Sequence, residues 1–161
     1  MLKICKEKWS KNNHILRDNL KNFSGIRDCE YVDLVRITVD SILNDDEDDR
    51  WDTDKITAVD DGNYQGTQMF LIPKDTYQPA EYEYLMTYAG YGSCSGCDTL
   101  QRIREMIYGE WDSETGMYVI ADIPNKAISD LMTLCKHLLE NIIKPYNSGW
   151  RNDEDYKFDG F

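Results

Sequence analysis

The chain has 161 residues, 41% of them hydrophobic, and its 30 acidic residues outweigh 18 lysines and arginines to give a net charge of −12. This length suits one domain with its own core, and the apolar content excludes wholesale disorder. The acidic balance disfavours a direct nucleic-acid binder or a membrane-surface protein, because both ligands present phosphates that repel carboxylates. We expect any partner to be a protein with a basic surface.

The chain shows no sign of a targeting or membrane segment. No apolar run approaches the roughly 20 residues that cross a bilayer, and the N-terminus lacks the apolar stretch of a signal peptide. The cysteines are odd in number, and Cys5, Cys29 and Cys135 stand alone, which does not match a disulfide framework. These features predict a cytoplasmic protein with reduced thiols.

Two helices are predicted in the first third of the chain. Residues 10–23 carry apolar side chains at helical spacing, and Ser24-Gly25 ends the pattern. Residues 30–43 favour a second helix, although β-branched Val32, Thr38 and Val39 leave a strand as the alternative. His14 lies on the polar side of the first helix, where we expect it to be solvated.

An acidic run, DDEDDRWDTD, occupies residues 45–54. It is not an EF-hand loop, because no register supplies the glycine that such a loop needs at its sixth position. A cation site or a mimic of a nucleic-acid backbone, a solvated connector from helix to sheet, and a patch that docks on a basic partner are the alternatives. The docking hypothesis uses Asp45, Asp46, Glu47, Asp48, Asp49, Trp51, Asp52 and Asp54.

Three strands follow, at residues 56–59, 67–72 and 82–88. Asp60-Asp61-Gly62-Asn63 has the composition of a hairpin turn between the first two. Residues 69–72 are continuously apolar, which predicts a central strand buried on both faces and ended by Pro73. The three strands should form one antiparallel sheet.

The third strand leads into a glycine-rich turn that carries a C-x-x-C motif. Alternation over residues 82–88 predicts a strand that ends at Gly90-Tyr91-Gly92-Ser93. After Cys94-Ser95-Gly96-Cys97, Asp98 is placed to cap a helix that runs to Tyr108.

The last part of the chain contains its clearest helix. Residues 117–121 are a candidate fourth strand, and Pro124 opens a helix to about residue 143 that Pro145 ends. Its predicted core stripe is Ala127, Ile128, Leu131, Leu134, Cys135, Leu138 and Ile142. We assign residues 1–148 to a single domain and residues 149–161 to an acidic, aromatic C-terminal tail.

The C-x-x-C motif has a structural interpretation and three chemical ones. In the structural one, Cys94 and Cys97 fill small buried spaces in a tight turn. A redox pair, half of a zinc site, and a backbone nest for an anion over residues 92–96 are the others. Zinc is disfavoured because Cys135 and His137, about 200° apart around a helix, cannot complete the site. The candidate residues are Cys94, Cys97, Gly92, Gly96 and Asp98.

One stretch of the chain resembles a known group of proteins. Asp61-Gly62-Asn63-Tyr64-Gln65-Gly66-Thr67, followed by Tyr91-Gly92-Ser93-Cys94-Ser95-Gly96-Cys97-Asp98-Thr99-Leu100-Gln101, is similar to a succession found in short proteins encoded in phages and prophages. The resemblance spans residues 61–107. It implies a viral accessory protein in the cytoplasm of a host cell. Because that family has no assigned activity, no catalytic residue can be carried over to this chain.

These observations predict an α+β domain in which helices pack on a small antiparallel sheet of three to four strands. The preferred function is a non-catalytic, phage-like interaction protein without a cofactor. Its acidic surface would dock on a basic protein, such as a host defence or nucleic-acid-processing protein, and inhibit it. The alternative is a small thiol-redox or metal-binding protein built on Cys94 and Cys97.

Overall fold

Two helices form the N-terminal part of the fold in the computed structural model, which describes residues 3–94, 96–109, 111–118 and 122–144. Helix α1 spans Lys3–Asn22 and α2 spans Tyr31–Ile42. Helix α1 begins before the predicted residue 10, because Cys5 is buried and extends the apolar face toward the N-terminus. The buried Asn12 side chain donates 3.0 Å to the carbonyl oxygen of Ile42, which ties α1 to the end of α2.

A capping box explains why residues 30–43 form a helix and not the alternative strand. The Glu30 side chain accepts from the backbone N–H of Asp33, and the Asp33 carboxylate accepts from the backbone N–H of Glu30 at 2.9 Å. These two bonds satisfy N–H groups that a helix start otherwise leaves free. Val35 and Val39 are buried in the core, so these β-branched residues form part of the apolar face of the helix.

The main sheet has three antiparallel strands in the order β1-β2-β3, as predicted. They are β1 (Thr57–Asp60), β2 (Gly66–Pro73) and β3 (Tyr84–Tyr91). The β1–β2 connection contains Gly62, where a Cβ would lie 2.2 Å from the carbonyl oxygen of Gln65, so the turn requires glycine.

The prediction that residues 69–72 are buried on both faces is wrong. Phe70 and Ile72 are fully buried, but Met69 is 38% exposed and Leu71 is half-buried. β2 is therefore the middle strand of a sheet covered on one face only, and an apolar run alone did not reveal this.

Strand β3 also runs further than the sequence predicted. It begins at Tyr84 and continues past the glycine expected to end it, because Gly90 pairs with Thr67 and Tyr91 with Gly66. Its buried side consists of Leu85, Thr87 and Ala89, whereas Tyr88 on the other side is 43% exposed. The Thr87 hydroxyl donates 2.6 Å to the carbonyl oxygen of Leu138 and joins the sheet to the last helix.

The predicted fourth strand does not join this sheet. Met117–Tyr118 forms β5 and pairs with β4 (Trp111–Asp112) in a separate two-stranded sheet. The Asp112 carboxylate accepts from the backbone N–H of Glu114 at 2.8 Å and from the Thr115 hydroxyl at 2.8 Å, which closes the hairpin locally. Residues 119–121, also part of the prediction, lie outside the described residues.

Helices α3 (Thr99–Tyr108) and α4 (Asn125–Glu140) complete the α+β domain. Leu134 is only half-buried, and Leu139 occupies the core in its place. The helix ends before the predicted residue 143, because Ile143 forms an antiparallel bridge with Met86 at the edge of β3. The buried residues of α4 are Ala127, Ile128, Leu131, Met132, Cys135, Leu138 and Leu139.

No helix in the described part of the chain has the length and apolar character needed to cross a membrane. Pro145 and the predicted tail at residues 149–161 lie outside the described residues.

Candidate functional site

The C-x-x-C motif lies in the turn between β3 and α3, at residues 92–98, which we call the dithiol turn. The backbone oxygen of Cys94 accepts from the backbone N–H of Cys97 at 2.9 Å and of Asp98 at 2.8 Å. The backbone N–H of Cys94 lies 2.9 Å from Cys97 Sγ, and the Cys97 thiol donates to the Cys94 oxygen at 3.1 Å. The Cys97 sulfur is therefore held against the backbone of Cys94.

Gly92 is needed in this turn for a steric reason. A Cβ at that position would lie 2.7 Å from Cys97 Sγ and 2.8 Å from Cys97 Cβ, closer than real Cβ contacts. Gly96 is under no such constraint, since a Cβ there would lie 3.8 Å from Cys94 Sγ, an ordinary contact. The close approach of Gly92 fixes where the Cys97 thiol can lie.

The prediction that Cys94 and Cys97 fill buried spaces is wrong, because both are exposed. The hydrogen bond with the Cys97 side chain holds the pKa of Cys94 below its usual value, and backbone N–H groups of Gly96 and Cys97 lower it too. Desolvation and the carboxylate of Glu105 oppose this shift. The turn thus offers solvent two adjacent thiols, one of them biased toward the reactive thiolate.

Asp98 is a helix cap, as predicted. Its carboxylate accepts from the backbone N–H of Gln101 at 3.0 Å, from the Tyr31 hydroxyl at 3.0 Å and from the backbone N–H of Gly92 at 3.4 Å. The side chain is turned into the fold and the residue is 9% exposed. Asp98 therefore anchors the turn to α2 and α3.

These contacts also bear on the anion-nest interpretation. The backbone N–H groups of Gly92, Cys94 and Cys97 already have partners within the turn. A nest needs such groups directed at a ligand, so these three N–H groups are not available to form one.

The remaining three cysteines have the low thiol reactivity expected of buried residues. Cys5, Cys29 and Cys135 are buried, and burial raises their pKa values to about 11, about 11 and about 12. Cys135 lies in the core while the His137 side chain is 64% exposed, so they cannot share a metal ion. Within the described residues, no three His, Cys, Asp or Glu side chains are placed to hold one.

A polar cleft of about 460 Å³ lies beside the dithiol turn and was not predicted from the sequence. Tyr31 comes from α2, Tyr91 from the end of β3, and Arg104 and Tyr108 from α3. Arg104 pairs with Glu30 at 3.2 Å, so the cleft wall carries both charges. The lining residues Tyr91, Asp98, Leu100 and Gln101 belong to the stretch whose sequence resembles phage-encoded proteins, and this resemblance was the signal that could have drawn attention to the cleft.

The acidic run forms a second candidate site, which we call the acidic loop (residues 45–54). Asp45 pairs with Lys8 at 2.7 Å and with Lys11 at 2.9 Å, while Asp52 pairs with Lys55 at 2.6 Å. Asp49 pairs with Lys74 on the sheet. The ion pairs neutralise part of the charge that the sequence suggested was available to a partner.

Trp51 closes the acidic loop and is not a freely exposed docking residue. Its backbone N–H donates 2.8 Å to Asn44 Oδ1, and its backbone oxygen accepts from Asn44 Nδ2 at 3.0 Å. The ring is half-buried beside the core, with Lys74 Nζ 5.0 Å from its centroid. The exposed acids outside the three sets of ion pairs are Asp46, Glu47, Asp48 and Asp54.

Comparisons of the chain with protein-family models, curated proteins and solved structures gave no match.

Proposed function

We propose that this protein carries out thiol–disulfide exchange through the dithiol turn. The observation that supports this most directly is the exposure of both Cys94 and Cys97 in a turn that holds the Cys97 sulfur 2.9 Å from the Cys94 nitrogen. Exposed thiols with thiolate character are the ones that react with disulfides. Cysteines that only fill space in a core are usually buried, so the exposure of this pair argues against a purely structural role.

Cys94 is the attacking residue in this proposal, because the Cys97 sulfur is held by the backbone N–H and carbonyl oxygen of Cys94, while the pKa of Cys94 is lowered. Its thiolate displaces one sulfur of a substrate disulfide, which forms a mixed disulfide and releases one thiolate. Cys97 then loses its proton to water and attacks the Cys94 sulfur. This step closes the Cys94–Cys97 disulfide and releases the second substrate thiolate, so the substrate is reduced and the protein oxidised.

Site-resolved alkylation tests the reactivity of Cys94. The reduced protein is treated with iodoacetamide from about pH 6 to about pH 9, and each cysteine is followed by mass spectrometry. Alkylation of Cys94 should reach half its maximal rate below about pH 8.5, the ordinary pKa of a free cysteine. Buried Cys135 should react only in denaturant and serves as the internal control.

Glutathione disulfide tests the exchange itself. The wild-type protein should form the Cys94–Cys97 disulfide, while Cys97→Ser should stop at the mixed disulfide on Cys94. Cys94→Ser should react more slowly than Cys97→Ser, since it keeps only the resolving thiol. If neither cysteine reacts with glutathione disulfide, or if the two single variants react equally, the proposal is wrong.

A second function, docking on a basic protein, is supported by the geometry of the acidic loop. Asp45, Asp49 and Trp51 clamp the loop to the body, and Asp46, Glu47 and Asp48 project from it as exposed carboxylates. A fixed array of like charges can complement a basic surface and speed association. The resemblance to phage proteins suggests a host defence or nucleic-acid-processing protein as this partner.

A matched pair of variants tests the docking proposal by capture from host-cell lysate. Asp46→Asn, Glu47→Gln and Asp48→Asn together remove three loop charges, while the control removes three exposed charges elsewhere through Glu81→Gln, Glu114→Gln and Asp122→Asn.

Only the loop variant should lose the captured protein. Capture by the wild type should also weaken with salt, as the screening length falls from about 10 Å at 0.1 M to about 3 Å at 1 M. Equal capture by the two variants would exclude the acidic loop as the docking surface. Neither result would bear on the thiol–disulfide exchange proposal, which the reaction with glutathione disulfide tests separately.

A further inference from the structure

A second cavity, of about 210 Å³, lies where the N-terminal part of α1, the acidic loop and the start of β3 meet. We call it the lysine cavity, because three lysines line it although the whole chain carries a net charge of −12. They are Lys8 from α1, Lys74 after β2 and Lys144 after α4. Two acids, Asp49 and Glu83, are also in the lining.

The lysines are partly withdrawn from water. The side chains of Lys8 and Lys74 are 17% and 18% exposed. Burial lowers the pKa of Lys74; Glu83 raises it, and the positive charges of Lys144 and Lys8 lower it. A desolvated ammonium beside two like charges gains free energy from a nearby anion.

Asp49 now provides that anion for Lys74, but from the rim of the cavity. Its carboxylate is 51% exposed, whereas the lysine side chain it pairs with is largely covered. Solvent reaches this ion pair on its Asp49 side and weakens it there. A carboxylate or phosphate that enters from solvent can therefore take the place of Asp49 at Lys74. Lys8, by contrast, is held by Asp45 at 2.7 Å and by the carbonyl oxygen of Leu43 at 2.7 Å.

The rest of the lining is apolar or aromatic. Trp51 and Tyr82 contribute rings, and Ile4, Leu43 and Leu85 contribute aliphatic side chains. The volume lies below the roughly 300–1,000 Å³ of sites that hold drug-sized ligands, so it selects for a ligand with one ring.

We infer that the lysine cavity binds a small organic anion, one aromatic ring carrying a single carboxylate or phosphate group. The anionic group pairs with Lys74 in place of Asp49, and the ring lies against Trp51 and Leu85. This site is separate from the dithiol turn and needs neither exchange chemistry nor a docking partner.

Isothermal titration of the full chain with four probes tests this inference. Benzoate and phenyl phosphate carry ring and charge, benzamide carries the ring alone, and inorganic phosphate carries the charge alone. At least one ring anion should bind, and it should bind more tightly than both benzamide and inorganic phosphate. The tighter of benzoate and phenyl phosphate identifies the anionic group. No binding of either, or equal binding of benzamide, overturns the inference.

Three variants locate the bound anion. Lys74→Gln should weaken binding at least about tenfold, because a charge-assisted hydrogen bond is lost. Asp49→Asn should strengthen binding several-fold, because the competing carboxylate is gone. Lys55→Gln is the matched control, since Lys55 pairs with Asp52 on the same loop but does not line the cavity, and it should have no effect.

The effects expected for Lys74→Gln and Asp49→Asn on the affinity for the ring anion have opposite signs, so a loss of fold in both variants would not reproduce them. If Lys74→Gln unfolds, the Asp49→Asn result decides: unchanged or weaker affinity for the ring anion overturns the inference. An effect of Lys55→Gln equal to that of Lys74→Gln would also overturn it, because general surface charge would then explain the binding.

Discussion

The hydroxyl of Tyr31, the first residue of α2, donates a hydrogen bond of 3.0 Å to the carboxylate of Asp98, which caps α3. The two residues are 67 positions apart and are only 4% and 9% exposed. Because Asp98 directly follows Cys97, this bond anchors the dithiol turn to the helical part of the domain. Its loss should affect both stability and the environment of the thiols.

Tyr31→Phe should lower the free energy of unfolding by about 1.5–3 kcal/mol, the typical contribution of a hydrogen bond to a charged group. Urea unfolding followed by circular dichroism measures the change. Tyr77→Phe is the matched control, since Tyr77 is 96% exposed, and its midpoint should equal that of the wild type. An unchanged midpoint for Tyr31→Phe would mean that the bond does not stabilise the fold.

Two leucines of α4 should differ in their effect when shortened. Leu138 is 3% exposed and lies in the core, so Leu138→Ala should cost about 2–5 kcal/mol of unfolding free energy. Leu134 is half-buried, and Leu134→Ala should cost less than about 2 kcal/mol. Equal costs in denaturant titrations would show that the two positions are not packed as described.

Asp45 should contribute stability that is lost in acid. Hydrogen bonds from Lys8 and Lys11 hold the pKa of Asp45 below its usual range in the folded protein. As pH falls below about 3.9, the unfolded chain therefore binds a proton at Asp45 before the folded protein does. The stability that the ion pairs contribute is lost progressively between that pH and the lower pKa of the folded state. Asp45→Asn should thus be less stable than the wild type at about pH 6, and the gap should shrink at about pH 3.

Chemical unfolding at both pH values measures this gap. Asp46→Asn serves as the control, because Asp46 is exposed and lies outside the pairs with Lys8 and Lys11. A gap for Asp45→Asn that stays constant with pH would contradict the assignment.

Protein purified without chelator should contain well under one zinc per chain. The dithiol turn supplies two ligands, whereas a structural zinc site needs four. Buried Cys135 and exposed His137 cannot supply the others. Metal analysis by mass spectrometry measures the ratio, and one zinc per chain that is released on unfolding would contradict this expectation.

The site could be predicted only in part from the sequence. The C-x-x-C turn and the Asp98 cap follow from local chemistry, since glycine, aspartate and the start of an amphipathic helix act within a few residues. Exposure of Cys94 and Cys97 is not a local property, because it depends on what packs over the turn. For the same reason the sequence showed the charge of the acidic loop but not its pairing with Lys8 and Lys74.

By itself, the sequence determined the three strands, their antiparallel order and the existence of four helices, because hydrophobic periodicity and turn residues act locally. Tertiary structure alone decided that Phe70 is buried while Met69 is exposed, since a continuous apolar run does not say which faces of a sheet the helices cover. It also brought Lys8, Lys74 and Lys144 to one cavity. Their convergence depends on chain topology, which no periodicity within a single element records.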